Sequence, residues 1–247
     1  MKIEVITTWF NESFLAPFFF RHYDFVDKIN VLYDEDSTDN TLELLKENPK
    51  VSIYPFRFPD MMDDQIKVNN INNFYRGMDC DWVINVDADE FVFVTPWGDS
   101  LRKHLEEETG GNVVISLLWQ MYRHVSEAAL DPSMDIMQRR HGVMGSMVGQ
   151  TACYDKPIVC RPGAHNGWGP GNHDIAHNTN TRVSPRRING AHWAMADTFA
   201  IDRRIQGRKL RQSRSNLERK LTAQNHFVTE AQIRAELEAH KNDPQIF

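Results

Sequence analysis

Residues 83–94 read VINVDADEFVFV, an apolar strand interrupted by three acids, Asp87, Asp89 and Glu90. Burying carboxylates without partners costs several kcal/mol per ion, so a group of opposite charge must meet them. Alternate residues of a strand point to opposite faces, but where the strand ends the chain can turn and aim Asp87 and Asp89 at one divalent cation. Oxygen ligands of this kind suit Mg²⁺ or Mn²⁺, and such an ion would neutralise a diphosphate. The alternative is a strand-ending turn whose acids are solvated.

Two further polar clusters follow apolar strands. Residues 34–39, DEDSTD, stand between INVLY and TLELLKE. Ser37, Thr38 and Asp39 are natural caps for the following helix, whereas Asp34 at the strand's end is not needed for capping. An acid there can accept hydrogen bonds from a nucleobase N–H or a ribose hydroxyl. Residues 7–12, TTWFNE, again pass from strand to helix, with Asn11 or Ser13 as cap. Trp9 and Phe10 are either faces for a base or core aromatics.

The elements that must position these groups alternate. IEVITT, INVLY, VSIYPF and DWVINVD read as strands, and NESFLAPFFFRHY, TLELLKE and QIKVNNINNFYRGM as helices. Such alternation predicts βαβ units and a mainly parallel sheet, with ligands at the C-terminal strand ends, where the acids fall. Downstream, DSLRKHLEEE reads as a helix, and NVVISLLW and PIVCR as strands. Residues 131–149 have no clear period, AHNGWGPGNHD is a Gly, His and Trp loop, and RRINGAHWAM closes the compact part. Beyond about residue 198 the chain turns helical and basic: Arg203, Arg204, Arg208, Lys209, Arg211, Arg214, Arg219 and Lys220 crowd together.

Composition bounds the function. The 247 residues are 41% hydrophobic, enough for one sizeable core, and the net charge of −6 argues against a general polyanion binder. Cys80, Cys153 and Cys160 cannot pair completely and show no CxxC spacing, so a reduced, cytoplasmic setting is expected. MKIEVITTWFNE does not read as a signal peptide, and no apolar run approaches the roughly 20 residues of a membrane span.

WFNE, LYDEDSTDNTLELL and WVINVDADEF, in this order, resemble the motifs of family 2-like glycosyltransferases of GT-A fold, in particular the bacterial "family 2, type 4" enzymes. The resemblance spans residues 1–95 well and extends loosely to 210. It implies a Rossmann-like α/β/α sandwich with a mixed, mostly parallel sheet and a C-terminal helical tail, divided as a domain of residues 1–198 and a basic extension of 199–247. Trp9, Glu12 and Asp34 would lie in the nucleotide pocket. Asp36 stands where the family usually has glycine and could add a ribose contact. Asp87 and Asp89 would hold Mn²⁺ or Mg²⁺ and, through it, the donor's diphosphate. NGAHWAMAD resembles the segment that supplies a late histidine ligand, which points to His192; the alternative is a hydrogen-bonded core histidine.

The implied function is sugar transfer from a nucleotide sugar, a UDP-sugar by preference, to a glycan or lipid-linked acceptor in surface-polysaccharide synthesis. An inverting transfer needs a carboxylate base, for which Asp174 in the downstream loop is the candidate and Asp131, Asp155 and Glu127 are competitors; a retaining reaction would need no such base. The same loop suits a flexible cover with Trp168 stacking on a sugar. His165, His173, Asp174 and His177 could alternatively form a zinc site, although HExxH is absent. The basic tail is either a solvated helix face or a contact with the inner face of an anionic membrane, and no base-reading motif points to nucleic acid. The rival functions are a metal-dependent nucleotidyltransferase or phosphohydrolase and a non-catalytic sugar-nucleotide-binding module.

Overall fold

The computed structural model describes residues 1–94, 100–144, 155–202 and 229–246. Its first half is the alternation expected. Strands β1 (Ile3–Trp9), β2 (Lys28–Asp34), β3 (Val51–Phe56) and β4 (Trp82–Asn85) lie in the order β3-β2-β1-β4, all parallel. Between them run helices α1 (Ala16–His22), α2 (Thr41–Glu47) and α3 (Asp64–Tyr75). Helix α3 starts where it does because Asp63 accepts from the backbone N–H groups of Gln65 and Ile66, satisfying two of the first-turn donors.

The side-chain period of two sorts the strands into two faces. Ile3, Val5, Ile29, Val31, Trp82 and Ile84 point into one core with Phe18 and Phe19 of α1 and Leu45 of α2. Ile6, Leu32 and Val83 point into the other with Val68, Ile71 and Tyr75 of α3. Because α1 and α2 cover one face and α3 the other, the winding reverses between β1 and β4. Open α/β sheets place their binding crevice at such a switch point, beyond the C-terminal strand ends.

The second half completes a nine-stranded sheet in the order β4-β8-β6-β9-β5, with β7 on β6. Here β5 is Glu90–Phe93, β6 Val113–Met121, β7 Gly142–Met144, β8 Asp155–Cys160 and β9 Ile188–His192, with helix α4 (Leu101–Glu106) between β5 and β6. Strands β5, β7 and β8 run against the rest, so the sheet is mixed and mostly parallel, as expected. The chain passes from the end of β4 to the start of β5 in five residues, a reach of at most about 18 Å. Three other strands intervene, which in a flat sheet would require about 19 Å. The sheet therefore curls, and the segment with Asp87 and Asp89, closed by a hydrogen bond from the Glu90 N–H to the Asp87 carbonyl at 3.0 Å, joins β4 to β5.

After β9 come α5 (Phe199–Asp202) and, among the described residues, α6 (Glu230–His240). A capping box between Thr229 and Gln232 opens α6, and Ile233 buries itself with Tyr122, Met195 and Ile201. The Tyr122 hydroxyl donates to Glu236 at 2.7 Å, which ties this helix to the end of β6. The basic run from Arg203 to Lys220, like Cys153, lies outside the described residues; Cys80 and Cys160 are free thiols. Among the described residues no helix is long and apolar enough to cross a membrane.

Candidate active site

The loops leaving β1 and β2 are tied to each other. Asn11, at φ 52°, accepts from the Thr38 N–H at 2.7 Å, and its own N–H donates to Ser37 Oγ. The Glu12 N–H donates to Thr41 Oγ1 at 2.8 Å and the Ser13 N–H to Asp39 at 3.0 Å. Burial alone would raise the Asp39 carboxyl, but the hydrogen bonds from Ser13 and Thr41 outweigh it and hold the group below the usual range. DEDSTD and WFNE thus form one rigid rim, and most of their polar groups serve to build it.

Asp34 ends β2 on this rim, buried, with one carboxylate oxygen accepting from the Asp36 N–H at 3.1 Å. Asp36 itself is partly exposed and pairs with Arg57 at 3.1 Å. Glu12 is buried at the start of the same loop, its carbonyl taking the first N–H groups of α1. Trp9 is placed otherwise than in a nucleotide pocket. Its ring is fully buried, stacked on Phe20 at 5.6 Å and edge-on to Phe19, with Nε1 donating to Thr7. It has the parity of Ile3 and Val5, so the pleat aims it into the α1 core and leaves no face for a base.

The acids of β4 and β5 are met by side-chain cations. Lys67 of α3 lies 2.7 Å from Asp87 Oδ1, and Lys156 at the head of β8 lies 2.5 Å from Glu90 Oε1. Glu90 also accepts from the Asp87 N–H at 3.2 Å, so its carboxylate braces the turn from inside. Burial would raise Asp87, but the Lys67 ammonium beside it and Lys156 behind hold its carboxyl well below the usual carboxylate range. Asp89 is fully buried with His192 Nε2 3.7 Å from its Oδ2, brought there because His192 closes β9 opposite Glu90. Gln120 fixes that end of β9 by donating to the His192 carbonyl at 3.0 Å.

Two donors bound to one small cation at about 2.1 Å each stand roughly 3–4 Å apart, so Asp89 and His192 have the types and spacing of two ligands. The expected third, Asp87, is engaged by Lys67. Among the described residues no group of three His, Cys, Asp or Glu side chains is arranged to hold a metal ion. The donor set fits a divalent cation in its chemistry, with one carboxylate occupied.

Asp174 is not brought to these acids. It sits exposed in the tip of a hairpin, residues 166–176, its carbonyl accepting from the Gly169 N–H and its carboxylate lying over Gly169. The hairpin packs on α3 as core: Trp168 is buried against Tyr75 and His165, and donates to the Pro157 carbonyl at 2.9 Å. Asn72 grips both the N–H and the carbonyl of Trp168, so the indole does not cover a sugar. Neither does the hairpin supply a zinc site: His165 stacks on Tyr75 at 4.8 Å, and burial pushes it down to about 4.

Reasoning from sequence missed Lys67, Lys156 and Asn85. Asn85, at the end of β4 on the α3 face, is fully buried, and neither atom of its amide has a hydrogen-bond partner among the described residues. Thr8 Oγ1 on the neighbouring strand is in the same position. The signal was present in part: a demand for cations is implied by the acids, but which lysines answer it depends on where α3 and β8 fall in the fold.

Fold and site together define an α/β protein with a cluster of acids, paired with Lys67 and Lys156, at the switch-point edge of a curled mixed sheet. No family model and no curated protein matches the chain. Among solved structures it is similar to S. aureus TarS 1-349 in complex with UDP, at 12% identity over 98% of this chain and 89% of that one, with a TM-score of 0.43. It is likewise similar to S. aureus TarS 1-349 in complex with UDP-GlcNAc, at 14% identity over 96% and 72%, TM-score 0.43. The glucosyl-3-phosphoglycerate synthase of Mycobacterium tuberculosis in complex with Mn²⁺, UDP and phosphoglyceric acid shares 19% identity over 49% and 43%, TM-score 0.31.

Proposed function

We propose that the chain is a GT-A-type glycosyltransferase that moves a sugar from a nucleotide sugar, a UDP-sugar by preference, to a glycan or lipid-linked acceptor. The observation that carries this reading is that Asp34, the Asp87–Asp89 turn and His192 fall at strand ends on one edge of the sheet, with His192 3.7 Å from Asp89. The order of the WFNE, DEDSTD and DADEF motifs supports the same reading. Asp34 would accept from the base or ribose. Asp89 and His192, joined by Asp87, would hold Mn²⁺ or Mg²⁺, which supplies positive charge to the leaving diphosphate. The protein's own part is to fix the turn through Glu90 and to exclude water by burying Asp89.

Calorimetric titration of UDP, GDP and CDP into metal-stripped protein, with and without Mn²⁺, tests the reading. Binding of one diphosphate that requires Mn²⁺ and falls at least tenfold in Asp89→Asn and Asp34→Asn is expected. Binding of none of the three would refute it.

A further inference from the structure

The two lysines that meet the acids are not equivalent. Lys156 and Glu90 are buried, at 5% and 1% side-chain exposure, whereas Lys67 and Asp87 retain 23% and 21%. The first pair is enclosed by the sheet. The second remains partly open to solvent, where a lysine on a flexible four-carbon stem can leave its partner for another anion. Asp87 belongs to the expected metal set, and the Lys67 ammonium donates to it at 2.7 Å.

We propose that Lys67 is an intramolecular competitor for the metal and a ligand for the donor's phosphates. Resting on the transferase reading above, the assignment gives Lys67 two positions: on Asp87 in the empty protein, and on the nucleoside diphosphate once a cation takes Asp87. Two cations cannot share one carboxylate face at contact distance without repulsion, so the arrival of the metal displaces the ammonium. A diphosphate then offers it a stronger partner, because phosphate oxygens carry more charge than the carboxylate it left. Metal and nucleotide consequently assist one another, and by linkage the assistance is equal in both directions.

The experiment is Mn²⁺ binding, followed by the loss of the free-ion electron paramagnetic signal, in wild type, Lys67→Met and Lys67→Arg, each without nucleotide and with saturating UDP. Lys67→Met frees Asp87 and is expected to bind Mn²⁺ at least tenfold more tightly than wild type without UDP. The factor by which UDP strengthens Mn²⁺ binding is expected to shrink in that variant. Lys67→Arg keeps the competing charge and should follow wild type. Equal nucleotide-free affinities in wild type and Lys67→Met, with Mn²⁺-dependent UDP binding intact, would overturn the role of Lys67 and leave the transferase reading standing. Tighter Mn²⁺ binding by Lys67→Met with no UDP binding by any form would keep the competition for Asp87, but would overturn both the phosphate role of Lys67 and the donor site. Failure of all three to bind Mn²⁺ would overturn the proposal as well.

Discussion

Lys156→Met is expected to destabilise the protein more than any substitution at an exposed ion pair, and a second substitution is expected to undo much of the damage. The Lys156–Glu90 contact is 2.5 Å between groups almost wholly removed from water. At an effective dielectric of about 20 their attraction is roughly 7 kcal/mol. Desolvation costs several kcal/mol for each ion, so the pair as a whole contributes little net stability. Removing Lys156 alone leaves the Glu90 carboxylate buried with, among the described residues, the Asp87 N–H as its donor, at a cost of about 3–5 kcal/mol. Glu90→Gln alone strands the ammonium at a similar cost. In Lys156→Met/Glu90→Gln neither charge of the pair remains and the glutamine carbonyl can still accept from the Asp87 N–H, leaving a cost of about 1–3 kcal/mol for an imperfectly paired amide. Urea denaturation followed by tryptophan fluorescence would give the double-mutant cycle. A double variant less stable than both singles, with the two effects simply adding, would show that the pair is not the buried, mutually dependent unit its geometry indicates.

Acid should weaken the fold through two buried histidines. Burial pushes His165 and His22 down to about 4, so both are neutral in the folded protein. Unfolded, they protonate below about 6.5; stability is therefore full above that pH and falls as the pH drops towards 4, by about 3 kcal/mol for the nearly inaccessible His165. Urea midpoints at pH 7.0, 5.5 and 4.5 should fall in that order, and a flat series would refute the burial argument. The hairpin bearing Trp168 should affect stability and not donor binding. Trp168→Ala is expected to cost about 3–5 kcal/mol as a large-to-small core change. Gly167→Ala would place a Cβ 2.8 Å from Asn72 Cγ at a φ of +146° and should cost about 1–3 kcal/mol. In both, UDP affinity measured on the folded fraction should stay within about twofold of wild type; a tenfold loss would return this hairpin to the site.

What could be read from the sequence was whatever is periodic or local. TLELLKE and VSIYPF coincide with α2 and β3, because each is bounded by turn residues and carries its own period. The acids at strand ends follow from the same pattern: Asp34 and Asp87 fall at or just past the last strand residue, so the edge they share was fixed once the strands were parallel. The order of the second half was not legible. That β8 and β6 insert between β4 and β9 is decided by pairings such as Val83 with Cys160 and Ser116 with Ile188, distant in sequence and without a local mark. For the same reason the loop AHNGWGPGNHD could be mistaken for a cover. Its glycines and histidines suggest mobility and ligation, yet Asn72, Tyr75 and Pro157 turn its tryptophan into a wall of the α3 core.

The acids of VINVDADEFVFV are therefore met differently from what their types and spacing suggest. A metal is the simplest partner to infer for a DxD pair, because it needs no other part of the chain. Here each acid has a protein cation or imidazole instead: Lys67 at Asp87, His192 at Asp89 and Lys156 at Glu90. The turn can be held in one shape before any ligand arrives, which lowers the ordering cost of binding. On the proposed role of Lys67, a cation would have to win Asp87 from the ammonium, so its affinity would depend on Lys67 as well as on the carboxylates. Counting carboxylates would then overstate the affinity of this site for a cation alone and understate its dependence on the nucleotide that would draw Lys67 away.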